Sequence, residues 1–476
     1  MSDVEKNITD YPASGSLETH TVAVPEGDKY DINNPEYDAV FGERKEGAVD
    51  YRSMGWIKAT IVMLKTIIAL GVLAMPTVLS ATGGVPGALI ILIIGLITTW
   101  TGHVVGLFKK NHPEVYSMDG VGYILGGKWG REFFTIAYPM FMIFLSGSGF
   151  VAISIAFNAV TAYATCTVAW VVVAMVGTFA LASIQTLNKV SILGWIGFVS
   201  VMAAILIITI SVGIQDRPSA APQTGPWDKN IAAVNHQGTF LGGMGAVCTV
   251  VFSYSGTPAF FNVVGEMRKP KDYDRALYWC QSIVTATYLT IGIVVYYYCG
   301  QYLANPALGS AGVIIKKVAY AVALPGLFVS VTIYTHVGAK AIFVRLLRGS
   351  DHLTAHSFTH WAVWLGTVAG CVTISFILAE AIPFFGDLVN LIGATLGTLM
   401  CMIACGWMWL HDNLPRRKED KSLYYRMLVL LNVGIVIAGV FIVITGTWSA
   451  VVSIRNSYSS GLITSPFSCA DNSNSS

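Results

Sequence analysis

Two short stretches of this chain place helix-breaking residues inside apolar runs. The first reads Lys65-Thr66-Ile67-Ile68-Ala69-Leu70-Gly71-Val72-Leu73-Ala74-Met75-Pro76. The second reads Phe252-Ser253-Tyr254-Ser255-Gly256-Thr257-Pro258-Ala259-Phe260. Pro258 has no amide proton to give and its ring crowds the carbonyl of Tyr254, four residues back. Gly71 and Gly256 remove the side-chain penalty for leaving helical geometry. Backbone groups freed inside a bilayer must face a protein-enclosed cavity, because each one left without a partner costs several kcal/mol. The amides that open one half-helix would meet an anion such as a carboxylate, and the carbonyls that close the other would meet a cation. A zwitterion needs both.

The elements that must position these breaks follow from composition. The chain has 476 residues, 54% hydrophobic and 12% charged, with a mean hydropathy of +0.61. A soluble domain carries about 25% charged residues. Apolar segments lie at about 56–80, 85–108, 133–157, 164–186, 190–214, 240–264, 276–299, 318–345, 359–380, 384–410 and 425–450, each near the roughly 20 residues a membrane span needs. The predicted fold is an all-α polytopic membrane protein of eleven transmembrane helices. Gly71 and Gly256 are 185 residues apart, in the first and sixth spans. That spacing suits two five-helix units, 56–214 and 240–410, inverted with respect to one another and each opening with a discontinuous helix, followed by an eleventh span. Residues 1–55 read as a disordered polar tail, and 451–476 as a second tail at the other end.

Orientation follows from the cations. With the amino terminus cytosolic, 23 of the 29 Lys and Arg fall on inside segments and 5 outside, Lys65 being within the first span. This asymmetry puts the amino terminus in the cytosol and the carboxy terminus outside. Lys65 is expected to snorkel toward the cytosolic surface. A net charge of +2 gives no nucleic-acid-binding face. The eight cysteines read as small apolar packing residues, since Cys401 and Cys405 have no zinc-site partners and only Cys469 stands clear of an apolar run. No catalytic cluster, metal set or nucleotide-binding motif is present, which argues against an enzyme and an ATP-driven pump. No repeated polar lining suggests a channel.

Other polar positions carry two readings each. Ser146, Ser148 and Ser154, among glycines in the third span, suit close helix approach or the edge of a cavity facing spans one and six. Ser330, Thr332, Thr335 and His336 in the eighth span suit backbone capping or ion handling, with His336 able to carry a proton near neutral pH. Glu266 closes the sixth span on the cytosolic side, while Glu380 and Asp387 flank the outer turn between spans nine and ten, at interfacial depths.

The motif Ala69-Leu70-Gly71-Val72-Leu73-Ala74-Met75-Pro76, together with Glu266-Met267-Arg268-Lys269-Pro270-Lys271-Asp272, resembles the amino acid/auxin permease family. The likeness runs over about 50–450 and is nearest to fungal neutral amino acid permeases. It implies the inverted-repeat fold of bacterial leucine transporters and import of neutral, bulky aliphatic or aromatic L-amino acids by alternating access. By the same likeness, substrate would meet Ala69, Leu70, Gly71, Ser255, Gly256 and Thr257, with Ser148 bordering the cavity. A second-sodium-site equivalent would fall between Thr66 or Ile67 and Thr332 or Thr335. Sodium-using relatives often carry Asn near the first break, where this chain has Ile67, Ile68 and Ala69, so the resemblance favours proton symport, with His336 and Glu266 as candidates and sodium as the alternative. No cofactor or obligate protein partner is expected beyond substrate, coupling ion and lipid bilayer. The expected location is a fungal plasma membrane, with the vacuolar membrane as the alternative. A transporter-like amino acid sensor is the other reading.

Overall fold

The computed structural model describes residues 54–68, 71–115, 117–184, 187–347, 357–415, 422–459 and 465–473, with a short antiparallel pairing of 37–38 against 42–43. The expectation of a disordered tail over 1–55 falls almost wholly outside the described residues. The first two helices, α1 (Trp56–Ile67) and α2 (Met75–Thr82), are joined by the 3-10 turn Gly71–Ala74 and bent by 49°. Pro76 lies in the first turn of α2, where a missing amide costs no helical bond. Then come α3 (Gly84–Asn111), α4 (Met118–Thr161), α5 (Thr167–Ala182) and α6 (Leu187–Ile214).

The second half opens with α7 (Phe240–Ser253), the 3-10 turn Thr257–Ala259 and α8 (Phe260–Glu266). It continues through α9 (Tyr273–Cys299), α10 (Val313–Leu346), α11 (Phe358–Ala381), α12 (Phe385–Ile392), α13 (Ala404–Asn413) and α14 (Leu423–Ser459). Two π-helical turns, Gly393–Gly397 and Leu399–Ile403, connect α12 to α13. Among the described residues, nine helical stretches are long and apolar enough to cross a membrane, and the bent α1–α2 pair makes ten. The 16-residue α5 is apolar but shorter.

The apolar faces sort into two packed groups. In one, α4 lies along α5, α10 and α11; in the other, α1, α2 and α3 lie along α9, and α2 along α7. The outer faces of α3, α6 and α14 keep Leu96, Ile210 and Leu430 exposed, as helices solvated by lipid do. Gly83 ends α2 at φ +96, where an L side chain would be strained and a Cβ would stand 2.6 Å from the amide of Asn235. That tight corner lets the loop before α7 reach back: Ala232 and Ala233 carbonyls accept from Gly84 and Val85 (3.0 and 2.9 Å), and Asn235 donates to the Thr82 carbonyl (3.1 Å).

One expectation needs correcting. Cys166 and Cys469 are not packing residues; they form a disulfide across 303 positions. Cys166 begins α5 at a sharp turn, not within a continuous apolar helix. The other six cysteines are buried and free.

Candidate functional site

A cavity of about 230 Å³ follows the two interruptions. Its lining includes Thr66, Ile67 and Gly71 from the first, and Phe252, Ser253, Ser255 and Gly256 from the second. Opposite stand Tyr138, Met142 and Leu145 of α4 and Ser330, Ile333, Tyr334, His336 and Val337 of α10. Toward the amino-terminal end of α1 the lining continues to Met54 and Glu266. Ala69 and Leu70 lie outside the described residues.

Close contact between the interruptions is what their small residues permit. A Cβ on Gly71 would stand 2.6 Å from the Cα of Ser253, and one on Gly256 would stand 2.6 Å from Cγ1 of Ile67. The Ser253 hydroxyl donates to the Gly71 carbonyl (3.1 Å) as well as to that of Thr249. Tyr288 of α9 is fully buried, and its hydroxyl reaches the carbonyls of both Ile67 (3.0 Å) and Ser253 (2.8 Å). One phenol thereby shares its single proton between the last carbonyls of α1 and α7, groups that have no intrahelical partner.

The remaining expected site residues divide. Ser255 lines the cavity while its hydroxyl donates to Val251 (2.6 Å). Thr257 is buried beside it, with its hydroxyl against the Cys401 thiol. Ser148 does not reach the lining; its hydroxyl turns back to the Leu145 carbonyl (2.8 Å). The three threonines proposed for a cation are engaged elsewhere. Thr66 donates to Val62 (2.9 Å), Thr332 to Phe328 (2.7 Å), and Thr335 pairs with Ser146 (2.9 Å). Thr332 and Thr335 do not line the cavity. These are the capping and interhelical bonds that Ser and Thr make in apolar helices. Lys65 is half-buried and lines the cavity, with Nζ 4.2 Å from the ring centre of the exposed Trp195.

His336 is different. It is buried, and Nδ1 faces the Ala182 carbonyl at 3.3 Å. A carbonyl only accepts, so that contact places the proton on Nδ1 and leaves Nε2 with its lone pair. Nε2 has no partner among the described residues, and His336 lines the cavity. Glu266 lines the cavity too, and its carbonyl accepts from the Met54 amide (3.2 Å) while Met54 accepts from Arg268 (2.9 Å). This backbone pairing ties the start of α1 to the end of α8.

Tyr288, Tyr138, Met142 and Asn262 were not singled out by sequence reasoning. The first is one tyrosine among 21, and nothing local marks it. Ser330, named with the hydroxyl-rich face of the eighth span, lines the cavity. Sequence reasoning also named no metal-ligand set. Among the described residues, His112, His411 and Asp412 bring donor atoms within 4.8 Å of one another and could hold an ion. Asp412 already accepts from His112 (2.9 Å) and Asn111 (2.9 Å), and none of the three lines the cavity.

The family model for "transmembrane amino acid transporter protein" matches residues 52–452. The chain is 37% identical over 472 residues to a "transmembrane transporter" of Fusarium pseudograminearum, covering 99% of this chain and 98% of that one. It is 32% identical over 434 residues to the "N amino acid transport system protein" of Neurospora crassa, covering 90% and 91%. In fold it is similar to MhsT crystallised with L-phenylalanine (TM-score 0.54, 12% identity, 84% of this chain and 100% of that one). It is equally similar to Mhp1, a nucleobase-cation-symport-1 family transporter (TM-score 0.54, 12% identity, 93% and 99%). The fold is the inverted-repeat arrangement of leucine-transporter-like proteins, and the chain is a transport protein, not an enzyme. It belongs to the amino acid/auxin permease family of transmembrane amino acid transporters.

Proposed function

We propose that this secondary active amino acid transporter is a proton symporter of neutral, bulky aliphatic or aromatic L-amino acids. The observation that carries the reading is the cavity between the two interruptions. The two interruptions, with Phe252, border one side, and Met142, Leu145 and Ile333 offer an apolar wall on the other. Interrupted helix backbone suits a zwitterion's two charges, and the apolar side chains suit a large uncharged substituent. Substrate-bearing half-helices that rock against α4 and α10 would expose this cavity alternately to the two sides.

Proton coupling is supported by the disposition of His336. His336 lines the cavity and its Nε2 is buried with no hydrogen-bond partner among the described residues, so a proton bound there requires no rearrangement of the Nδ1 bond. The titratable groups that share the lining are Lys65 of α1, Tyr138 of α4, Glu266 of α8 and Tyr334 of α10 itself. Lys340 stands one turn along α10. Of the hydroxyls proposed for sodium, Thr332 donates to the Phe328 carbonyl and Thr335 pairs with the Ser146 hydroxyl, neither on the cavity lining, and Lys65 already brings a cation to this wall.

The eleven-span arrangement, 5+5+1 with spans one and six discontinuous, is part of the same reading, as is a cytosolic amino terminus. It fits the Lys and Arg asymmetry. It also fits the Cys166–Cys469 disulfide, because disulfides persist on the non-cytosolic face. A fungal plasma membrane is the proposed location. The test is uptake of labelled phenylalanine and leucine in permease-deficient cells, with a pH gradient and no sodium, then with sodium and the gradient collapsed. Uptake that follows the pH gradient and is competed by neutral but not charged amino acids is the expected result. Uptake that requires sodium would overturn proton coupling.

A further inference from the structure

Past the end of α14 the chain turns back, and residues 465–473 lie across the ends of α4, α5, α10 and α11. The attachment is covalent at one point, the Cys166–Cys469 disulfide. Around it the segment is stitched by polar contacts. Thr167 donates to the Ala470 carbonyl (2.7 Å), Lys316 of α10 donates to the Ser473 carbonyl (2.8 Å), and the Tyr163 hydroxyl bonds to the Cys469 carbonyl. The Phe467 amide meets the Glu380 carbonyl of α11 at 3.4 Å, and its ring stands 6.2 Å from Phe376.

Asn472 goes deepest. It donates to Ser154 (2.9 Å) and accepts from Asn158 (2.9 Å), two α4 side chains that are 1% and 0% exposed. Asn158 also donates to Thr167 (2.7 Å). Ser154 and Asn158 sit among Val151, Ile153, Ile155 and Ala156, and Ser154 also donates to the Val151 carbonyl (2.8 Å). Buried polar groups require hydrogen bonds, and here the tail supplies one to each of the two side chains.

All these anchors belong to the helix group that carries the far wall of the cavity: Tyr138, Met142 and Leu145 on α4, and Ile333 to Val337 on α10. We propose that residues 465–473 form a disulfide-anchored strut that clamps the outer ends of α4, α5, α10 and α11 into one rigid wall, so that turnover depends on the oxidation state of Cys166 and Cys469. The strut residues do not line the cavity, so its release should slow the cycle and leave affinity nearly unchanged.

The test uses the purified full chain in proteoliposomes, so that a phosphine reductant reaches the disulfide. The phosphine takes up water oxygen to become its oxide, the S–S bond breaks, and each sulfur leaves with one proton as a thiol. Maleimide mass-tagging of the denatured chain reports cleavage, and thermal melting reports rigidity without any reference to substrate. Cleavage is expected to lower the melting temperature and to reduce Vmax several-fold, with KM moving by less than about twofold. A Cys166→Ser/Cys469→Ser double variant should match the reduced protein and ignore the reductant. Asn472→Ala, which keeps the disulfide but removes one hydrogen bond each from Ser154 and Asn158, should fall between. Full cleavage with unchanged melting and unchanged Vmax would overturn the proposal, as would two free thiols before any reductant is added. If no uptake is seen with either substrate, the melting and tagging results still decide the strut, while the substrate reading alone fails.

Discussion

Adding one methyl group at each interruption should have unequal consequences. A Cβ on Gly71 would stand 2.6 Å from Cα and 2.5 Å from Oγ of Ser253, whereas one on Gly256 would meet Cγ1 of Ile67 at 2.6 Å. Ordinary contact begins near 3.4 Å, so each site must open by several tenths of an ångström. At Gly71 the obstacle is backbone, and moving it also breaks the Ser253–Gly71 bond. Overpacking of this kind costs about 1–3 kcal/mol, and the lost bond adds about 1 kcal/mol. Gly71→Ala is therefore expected to reduce uptake kcat/KM by about thirtyfold or more, at 1.4 kcal/mol per decade. At Gly256 the obstacle is a side-chain methylene, so Gly256→Ala should cost about tenfold at most. Adding Ile67→Ala removes that methylene and should recover most of the Gly256→Ala loss, while giving Gly71→Ala nothing. The assay is initial-rate uptake at matched surface expression, read as a double-mutant cycle. Equal losses at the two glycines, or rescue of Gly71→Ala by Ile67→Ala, would refute this account of how the interruptions touch.

Three further outcomes follow from individual side chains. Tyr288→Phe removes the one hydroxyl that serves both Ile67 and Ser253; losing it should cost about 1–3 kcal/mol, seen as weaker substrate binding together with a lower melting temperature, and a variant indistinguishable in both would remove Tyr288 from the site. His336→Gln should abolish stimulation of uptake by a pH gradient while substrate exchange without a gradient persists; gradient-driven uptake at the wild-type rate would exclude His336 as the proton carrier. Asp387 accepts from Ser453 and Ser457 of α14 at 2.6 and 2.5 Å, so Asp387→Ala should lower the melting temperature and leave the pH dependence of uptake alone; an unchanged melting temperature would show the pairing to be dispensable.

The long apolar elements were legible because lipid imposes its requirement residue by residue. The run at 85–108 appears within Gly84–Asn111, and the run at 359–380 within Phe358–Ala381. The 3-10 turns Gly71–Ala74 and Thr257–Ala259 begin at or beside the glycines the sequence marks, since glycine and proline act on their own backbone. Side-chain direction was less accessible. Thr332 and Thr335 differ from Ser330 by two and five positions, yet only Ser330 reaches the cavity; a helix turns 100° per residue, so small errors of phase exchange wall for interior. Least legible were long-range partners. Tyr288 meets Ile67 across 221 positions and Cys469 meets Cys166 across 303, and nothing in either neighbourhood names the other.

The stitching of the molecule bears on how it could move. The loop before α7 binds the α2–α3 corner through Gly84, Val85 and Asn235. It also binds the end of α9, where Ala232 donates to Tyr296 (3.2 Å) and Lys229 accepts from Gln301 (3.0 Å). Those bonds stay within the group that carries the interruptions. The strut over α4, α5, α10 and α11 stays within the other. Between the groups lies the cavity, with Ile67, Gly71 and Gly256 on one bank and Met142, Leu145 and Ile333 on the other. Directional bonds resist sliding because they fail over a fraction of an ångström, whereas apolar contacts exchange one neighbour for another at small cost. A molecule bonded directionally within two bodies and packed by apolar side chains across the seam will yield first at the seam, and the seam is where the substrate would sit.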